Sequence, residues 1–343
     1  MSNDRAKTKS RLRTPWDYLN DEEINPLQRF LREKYRDHYL LHHVILAESD
    51  EANFLNQFSV TNCHLCGSKE IIHYGKANGL NRYYCKECKH TFVITTNTIF
   101  DSHKLAIEEW IEFCVALFGF GSSNLISKVN KNSITTSIYW LNKLFLLLHD
   151  YGDDIVCSGI VETDETYYKE RADKLELKPD GTEYAGLSRN QICIFTACDN
   201  AGHIYAKANG KGKPSQKRCW DALGTHIAHD STLIHDMERA HKILVRKLDL
   251  HSQTYNSKKI KKLKDNNPLR QINEIHSQIH KFLDSHPGFD RAYIQDYLNI
   301  FMFLTNESGE DLDKIYRLIE MGLTKPIILR YRDMYKSEDV DET

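Results

Sequence analysis

No apolar run in this 343-residue chain approaches the roughly 20 residues that a helical membrane span requires. The longest candidates, around Phe113 to Phe120 and Leu144 to Leu148, are too short, so no membrane partner is expected. The basic start MSNDRAKTKSRLR is followed by no apolar stretch and does not read as a secretory signal. A cytoplasmic location is the expectation. A phosphate-cradling G-x-x-x-x-G-K-[ST] loop is also missing, because GKGKPS lacks that spacing, and nucleotide binding is set aside. Nor is there an excess of charge of one sign. A net charge of −2 argues against indiscriminate coating of nucleic acid and leaves local patches open.

Cysteine, by contrast, is patterned. Four of the nine cysteines stand as CHLC and CKEC, giving Cys63, Cys66, Cys85 and Cys88 the spacing C-x2-C-x18-C-x2-C. Two cysteines at the lip of a tight turn aim their sulfurs at a common point, and two such knuckles form a tetrahedral S4 site for one structural Zn²⁺. The competing reading is chance pairs or disulfides, which this spacing disfavours. A turn around Asn78 and Gly79 and a strand-like RYYC predict a hairpin between the pairs, so residues 59–101 read as a zinc ribbon. The remaining Cys114, Cys157, Cys193, Cys198 and Cys219 are scattered, as suits a reducing compartment.

Periodicity divides the rest of the chain. Residues 1–58 read as a charged helical region, with Leu27, Phe30, Leu31, Tyr35, Tyr39 and Leu40 at helical spacing. Over 102–150, Ile107, Trp110, Ile111, Cys114, Val115 and Phe118 mark an amphipathic helix ending at Gly119-Phe120-Gly121. A second helix starts at a Ser122-Ser123 cap, and a third buries Ile138, Leu141, Leu144, Phe145 and Leu148. That order fits a helix-turn-helix or simply a small bundle. From Gly152 onward the pattern turns to strands at 159–168, 190–199 and 203–209, a helix at 214–227, a strand at 231–236, a helix at 238–248, a strand at 251–255 and a helix at 268–283. This α/β order, a meander followed by parallel strands with flanking helices, resembles the ribonuclease-H-like nucleases and implies a mixed five-stranded sheet over 155–306. Residues 307–343 are expected to form a helical tail.

In that order the first and fourth strands lie side by side, which brings Asp164 near Asp236. Two carboxylates held together at a sheet are costly unless a divalent cation neutralises them, and Mg²⁺ suits an oxygen-only site. Two such ions, with Mn²⁺ able to substitute, would support in-line attack on a phosphodiester. Each acid alone also reads as an ordinary strand-end or capping carboxylate. A third ligand is sought on the last helix. There Ile272, Ile275, Ile279 and Phe282 form a buried stripe, and Asn273, His276 and His280 form a polar stripe beside it, expected to face a cleft. Asn273 offers oxygen, whereas the histidines offer nitrogen that Mg²⁺ accepts poorly. Lys211 and Lys213 lie on a loop that could touch phosphates. Lys258, Lys259, Lys261 and Lys262 in KKIKKLK read either as a solvated face or as a contact to a polyanion.

With CHLC…CKEC, VETDE, GLSRNQICIFTACD, LIHD and INEIHSQIHKF in this order, residues 60–304 resemble insertion-sequence transposases of the Merlin-like, zinc-ribbon-bearing DDE superfamily. The resemblance implies a ribbon and helix-turn-helix that hold terminal inverted repeats. It also implies a metal-dependent catalytic domain that cuts double-stranded DNA and transfers strands to a target, acting as a homodimer or larger assembly associated with the nucleoid. The catalytic aspartates fall on Asp164 and Asp236. In the branch whose third acid is Asn, the pattern N-x-x-H-S-x-x-K falls on Asn273, His276 and Ser277. The chain departs from it at the last position, which is His280 followed by Lys281, so a basic DNA contact there is expected to be shifted or pH-sensitive. Glu162 and Glu165 flank Asp164 and could compensate for the missing third acid. Two other readings stay open, a transposase-derived DNA-binding protein without catalysis and a zinc-ribbon nuclease.

Overall fold

The computed structural model describes residues 51–102, 107–256 and 267–335. It divides into two units, residues 1–147 with 309–343, and residues 148–308. The reading of residues 1–50 as helical and the KKIKKLK lysines lie outside the described residues.

The first unit begins with α1 (Glu51–Leu55) and a three-stranded antiparallel sheet of β1 (Ile71–Ala77), β2 (Leu80–Cys85) and β3 (Thr91–Val93). Ala77 pairs with Leu80, so the hairpin closes through Asn78 and Gly79 alone, both at positive φ (51° and 81°), the backbone that a two-residue turn of this hand needs. Its apolar core is small: Cys63, Cys85 and Phe92, flanked by Val60, Ile71, Tyr83 and Cys88. A core of that size does not hold a fold without a further restraint.

Three helices follow: α2 (Ile107–Phe118), α3 (Ser123–Val129) and α4 (Ile134–Leu147). The Ser122 hydroxyl accepts from Leu125 N and caps α3, as its sequence position predicts. Gly121 is required where it stands, since a Cβ there would lie 2.6 Å from the Ala116 carbonyl oxygen. The buried face of α4 differs from expectation. Trp140 joins Leu141, Leu144, Phe145 and Leu147 inside, while Ile138 is 38% exposed, because the buried face is centred near Leu144 and the helix turns Ile138 to its margin. The expected tail is in part a helix, Asp311–Thr324, that packs within this unit, with Gly322 against Ile99 and Phe100 and Tyr316 stacked on Phe58 at 5.0 Å.

The second unit is built on β4 (Ile160–Lys169), β5 (Gln191–Asp199), β6 (Ile204–Lys211), β7 (Thr232–Asp236) and β8 (His251–Tyr255), in the order β6-β5-β4-β7-β8. β4, β5 and β6 form an antiparallel meander, and β7 and β8 add in parallel. Helices α5 (Gln216–Leu223) and α6 (Lys242–Lys247) connect the later strands, and α7 (Arg270–Asp284) and α8 (Ile294–Asn306) follow. This strand order and direction make the unit ribonuclease-H-like, as the sequence order predicts. The stripe Ile272, Ile275, Ile279 and Phe282 is buried to 4% exposure or less and seats α7 on β4 and β5. Among the described residues no helix is long and apolar enough to cross a membrane.

Candidate active site and metal-binding cysteines

Register decides which side chains can meet. β4 and β7 run parallel, with Thr163 beside His235, so one further step brings Asp164 and Asp236 together at the C-terminal end of β7. Their proximity is also felt electrostatically. The Asp164 carboxyl is pushed up to about 7, first by burial, then by the negative charges of Glu165 and Asp236, against the opposing Glu165 N–H and the His241 charge. An oxygen-donor pair that resists its own charge suits a hard divalent cation, and the residues present fit one.

Side chains alternate along β4, so Glu162, Asp164, Thr166 and Tyr168 share the face on which α7 lies. Each of these residues, or its pairing partner, meets the helix. Glu162 Oε2 accepts from Ile272 N at 3.0 Å, satisfying a free amide in the first turn of α7. Burial raises the Glu162 pKa, which that N–H opposes. Thr196, paired with Asp164, donates its hydroxyl to the Asp164 carbonyl (2.7 Å) and meets His276 Nε2 at 2.6 Å. The hydroxyl has one proton, so His276 is the donor to it, as a neutral imidazole whose pKa burial and His280 lower to about 4. His280 Nε2 lies 2.8 Å from Thr166 Oγ1, and Tyr168 donates to Asp284 at 2.9 Å.

The expected polar stripe of α7 therefore divides. His276 and His280 do not face a cleft. They pack on the sheet, because Thr196 and Thr166 give it polar positions to meet. Lys281 beside them is exposed. Asn273, also exposed, sits between the two anchors at Ile272 and His276. Its amide nitrogen donates to the Leu269 carbonyl, which leaves the oxygen as the atom it can offer a metal.

Glu165 points to the opposite face of β4 and is engaged there. Its Oε1 lies 3.0 Å from His241 Nε2, with the two side chains 4% and 0% exposed. His241 Nδ1 is 3.2 Å from His235 Nδ1, and His235 Nε2 is 3.0 Å from Ser252 Oγ. Burial opposes a charge on His241, but the Glu165 hydrogen bond and the charges of Glu165, Asp236 and Asp164 raise its pKa overall. Burial and His241 lower His235 to about 4. Cys219 Sγ completes a trio with Glu165 and His241 whose ligand atoms lie within 4.8 Å of one another. None of His235, His241 and Cys219 stands out in the sequence. His241, five residues past Asp236, falls in a stretch read as continuous helix, whereas Arg239–His241 is a 3-10 turn and α6 begins after it.

The expected DNA-contacting lysines also separate. Lys211 Nζ is paired with the buried Glu170 at 2.9 Å, so its charge is already used. Lys213 is exposed just past the end of β6, where the carbonyls of Asn209, Lys211 and Lys213 accept from the Arg218 guanidinium.

In the first unit the four cysteines converge. Cys63 Sγ lies 3.7 Å from Cys88 Sγ and Cys66 Sγ 3.6 Å from Cys85 Sγ, with all four sulfurs within 4.8 Å. Disulfides would need about 2.05 Å, whereas a tetrahedron of ligands about 2.3 Å from a zinc ion has edges of about 3.8 Å. The two knuckles match. Gly67 and Lys89, each just past a second cysteine, have positive φ (78° and 60°) and donate to the Cys63 and Cys85 carbonyls. The cluster could hold one metal ion.

Residues 156–306 match the family described as ISXO2-like transposase domain. Over 68 residues the chain is 34% identical to an uncharacterized protein in transposable element ISH50 of Halobacterium salinarum, covering 19% of this chain and 23% of that protein. The chain thus spans about a quarter of the length of that curated relative. Among solved structures, a chain of the simian T-cell lymphotropic virus intasome is 12% identical, covering 58% of this chain and 69% of its own length at a TM-score of 0.30. A chain of the Mos1 strand transfer complex is 11% identical, covering 62% and 74% at a TM-score of 0.27. Residues 156–306 are thus similar to the ISXO2-like transposase domain.

Proposed function

We propose that this chain binds the terminal inverted repeats of its insertion sequence, cleaves the DNA there in a metal-dependent reaction, and joins the freed 3′-hydroxyl to target DNA. The observation that carries the reading is the pair Asp164 and Asp236, brought together by parallel strands and repelling each other enough to help hold one carboxyl near a pKa of about 7. With Asn273 as the third donor, the pair would hold Mg²⁺ or Mn²⁺. Bound there, two such ions would activate a water or a 3′-hydroxyl and stabilise the leaving oxygen.

The chain's own residues position this site. Glu162 and His276 fasten the start of α7 to β4 and β5, which sets where Asn273 stands. The cysteine tetrad takes one structural Zn²⁺, supported by its sulfur spacings and by the small ribbon core. Residues 59–101 and 102–150 serve as the DNA-holding modules and residues 155–306 as the catalytic domain. Lys213, Lys281 and the lysines of KKIKKLK contribute phosphate contacts, and bringing two element ends together calls for at least a dimer.

Incubation of a labelled inverted-repeat end with Mg²⁺ or Mn²⁺ tests the proposal. Wild type is expected to nick the end and Asp164→Ala to bind it without nicking. End binding with no nick by wild type under either metal would instead identify a binding protein of transposase descent. Nicking with free, unjoined 3′ ends would identify a nuclease.

A further inference from the structure

Glu165 and His241 lie on the face of β4 away from α7, yet each is tied by sequence to one of the two aspartates. Glu165 follows Asp164 directly, and His241 ends the short turn that leaves Asp236. The 3.0 Å contact between them closes a ring through the backbone: Asp164, Glu165, His241, and back along the turn to Asp236. His241 Nδ1 also stands 3.9 Å from Asp236 Oδ1. From His241 the chain of contacts continues through His235 at 3.2 Å to Ser252 at 3.0 Å, which ties the end of β7 to β8. The end of β7 that carries Asp236, with the turn after it, is thus held on both sides, to β4 by Glu165 and to β8 by Ser252.

We propose that Glu165 and His241 are positioning residues that fix the separation of Asp164 and Asp236, and so set the affinity of the aspartate pair for divalent metal. This rests on the reading of that pair as a metal site. Neither residue touches the metal or the DNA. The hydrogen bond occupies His241 Nε2 and one oxygen of Glu165, and on this reading the pair beside Cys219 is a clamp rather than a second metal centre. Groups that hold metal ligands from behind typically change metal affinity 10- to 100-fold when removed.

The test uses the full chain with its zinc retained, and measures Mn²⁺ binding directly by electron paramagnetic resonance without DNA. His241→Ala is expected to weaken Mn²⁺ binding about tenfold or more, with end binding through the ribbon unchanged. His241→Gln, which keeps a donor facing Glu165, is expected to restore affinity to within about threefold of wild type, a rescue that mere loss of packing would not give. Should His241→Ala fail to fold, Glu165→Gln carries the test, with a loss of about three- to tenfold expected. Folded His241→Ala or Glu165→Gln protein that binds Mn²⁺ as wild type does overturns the clamp alone. Wild type whose Mn²⁺ binding is unaffected by Asp164→Ala overturns the metal-site reading and the clamp with it. Retention of a second zinc ion per chain, lost in Cys219→Ser, would also overturn the clamp by making the trio a metal centre.

Discussion

Asp164 should make the metal-free protein less stable than it could be. Its carboxyl is displaced from the ordinary 3.8 to about 7, by burial first and by Glu165 and Asp236 next. At about 1.4 kcal/mol per pH unit, ionising it in the folded chain costs on the order of 4 kcal/mol relative to the unfolded chain. The native state holds a proton that the unfolded state has released between about pH 4 and 7, so stability falls as pH rises through that window and levels off above it. Asp164→Asn removes the titration and keeps an oxygen that can accept from Glu165 N, the bond that Asp164 Oδ1 accepts at 2.9 Å. At pH 8, without added Mg²⁺ and without chelator, the Asn variant should therefore melt roughly 10 °C above wild type in the transition of the second unit. The difference should shrink toward zero near pH 4. Saturating Mg²⁺ should raise the wild-type transition and leave that of the variant unchanged. Differential scanning calorimetry across this pH range reads all three effects. A variant no more stable than wild type at pH 8, or a gain that does not diminish with acid, would refute the account of Asp164 as a carboxylate held against its own charge.

Other perturbations reach other parts of the structure. Cys66→Ser should abolish retention of one zinc ion per chain, melt the ribbon and remove end recognition, and Co²⁺ in the wild-type site should show thiolate charge-transfer absorption. Phe282→Ala empties a site that is 0% exposed under α7 and should cost about 3–5 kcal/mol in urea unfolding. Lys213→Ala should lower the salt dependence of DNA binding by about one counterion without affecting the melting temperature. Lys211→Ala should instead destabilise the fold, because it removes the ion-pair partner of the buried Glu170 carboxylate.

Much of the second unit is legible because its signals are local. The apolar run of QICIFTACD, buried almost throughout, and the stretch around VETDE mark strands, the isoleucine stripe of α7 has helical period, and the order of elements then fixes which strands neighbour each other. The cysteine tetrad is legible for the same reason, since its spacing is a property of a short segment. What escapes is the partner of each polar group across the fold. Nothing in the sequence links Glu165 with His241 or His276 with Thr196, because these pairs form only once β4, β5 and the turn after β7 are assembled. The same holds for Lys211, whose exposed appearance conceals the pairing with Glu170. Ile138 shows the limit of periodicity in a short helix: a stripe of apolar residues has an edge, and packing decides which member lies on it.

The most direct test of the metal-dependent aspartate pair is strand transfer with a precleaved inverted-repeat end, a target plasmid and Mg²⁺, comparing wild type with Asp236→Ala at equal occupancy of the end. Wild type should join the 3′ end to target DNA only when a divalent ion is present, and Asp236→Ala should bind the end equally well with joining reduced by about a thousandfold or more. Joined product from Asp236→Ala at the wild-type rate, or from wild type without any divalent ion, would contradict the account.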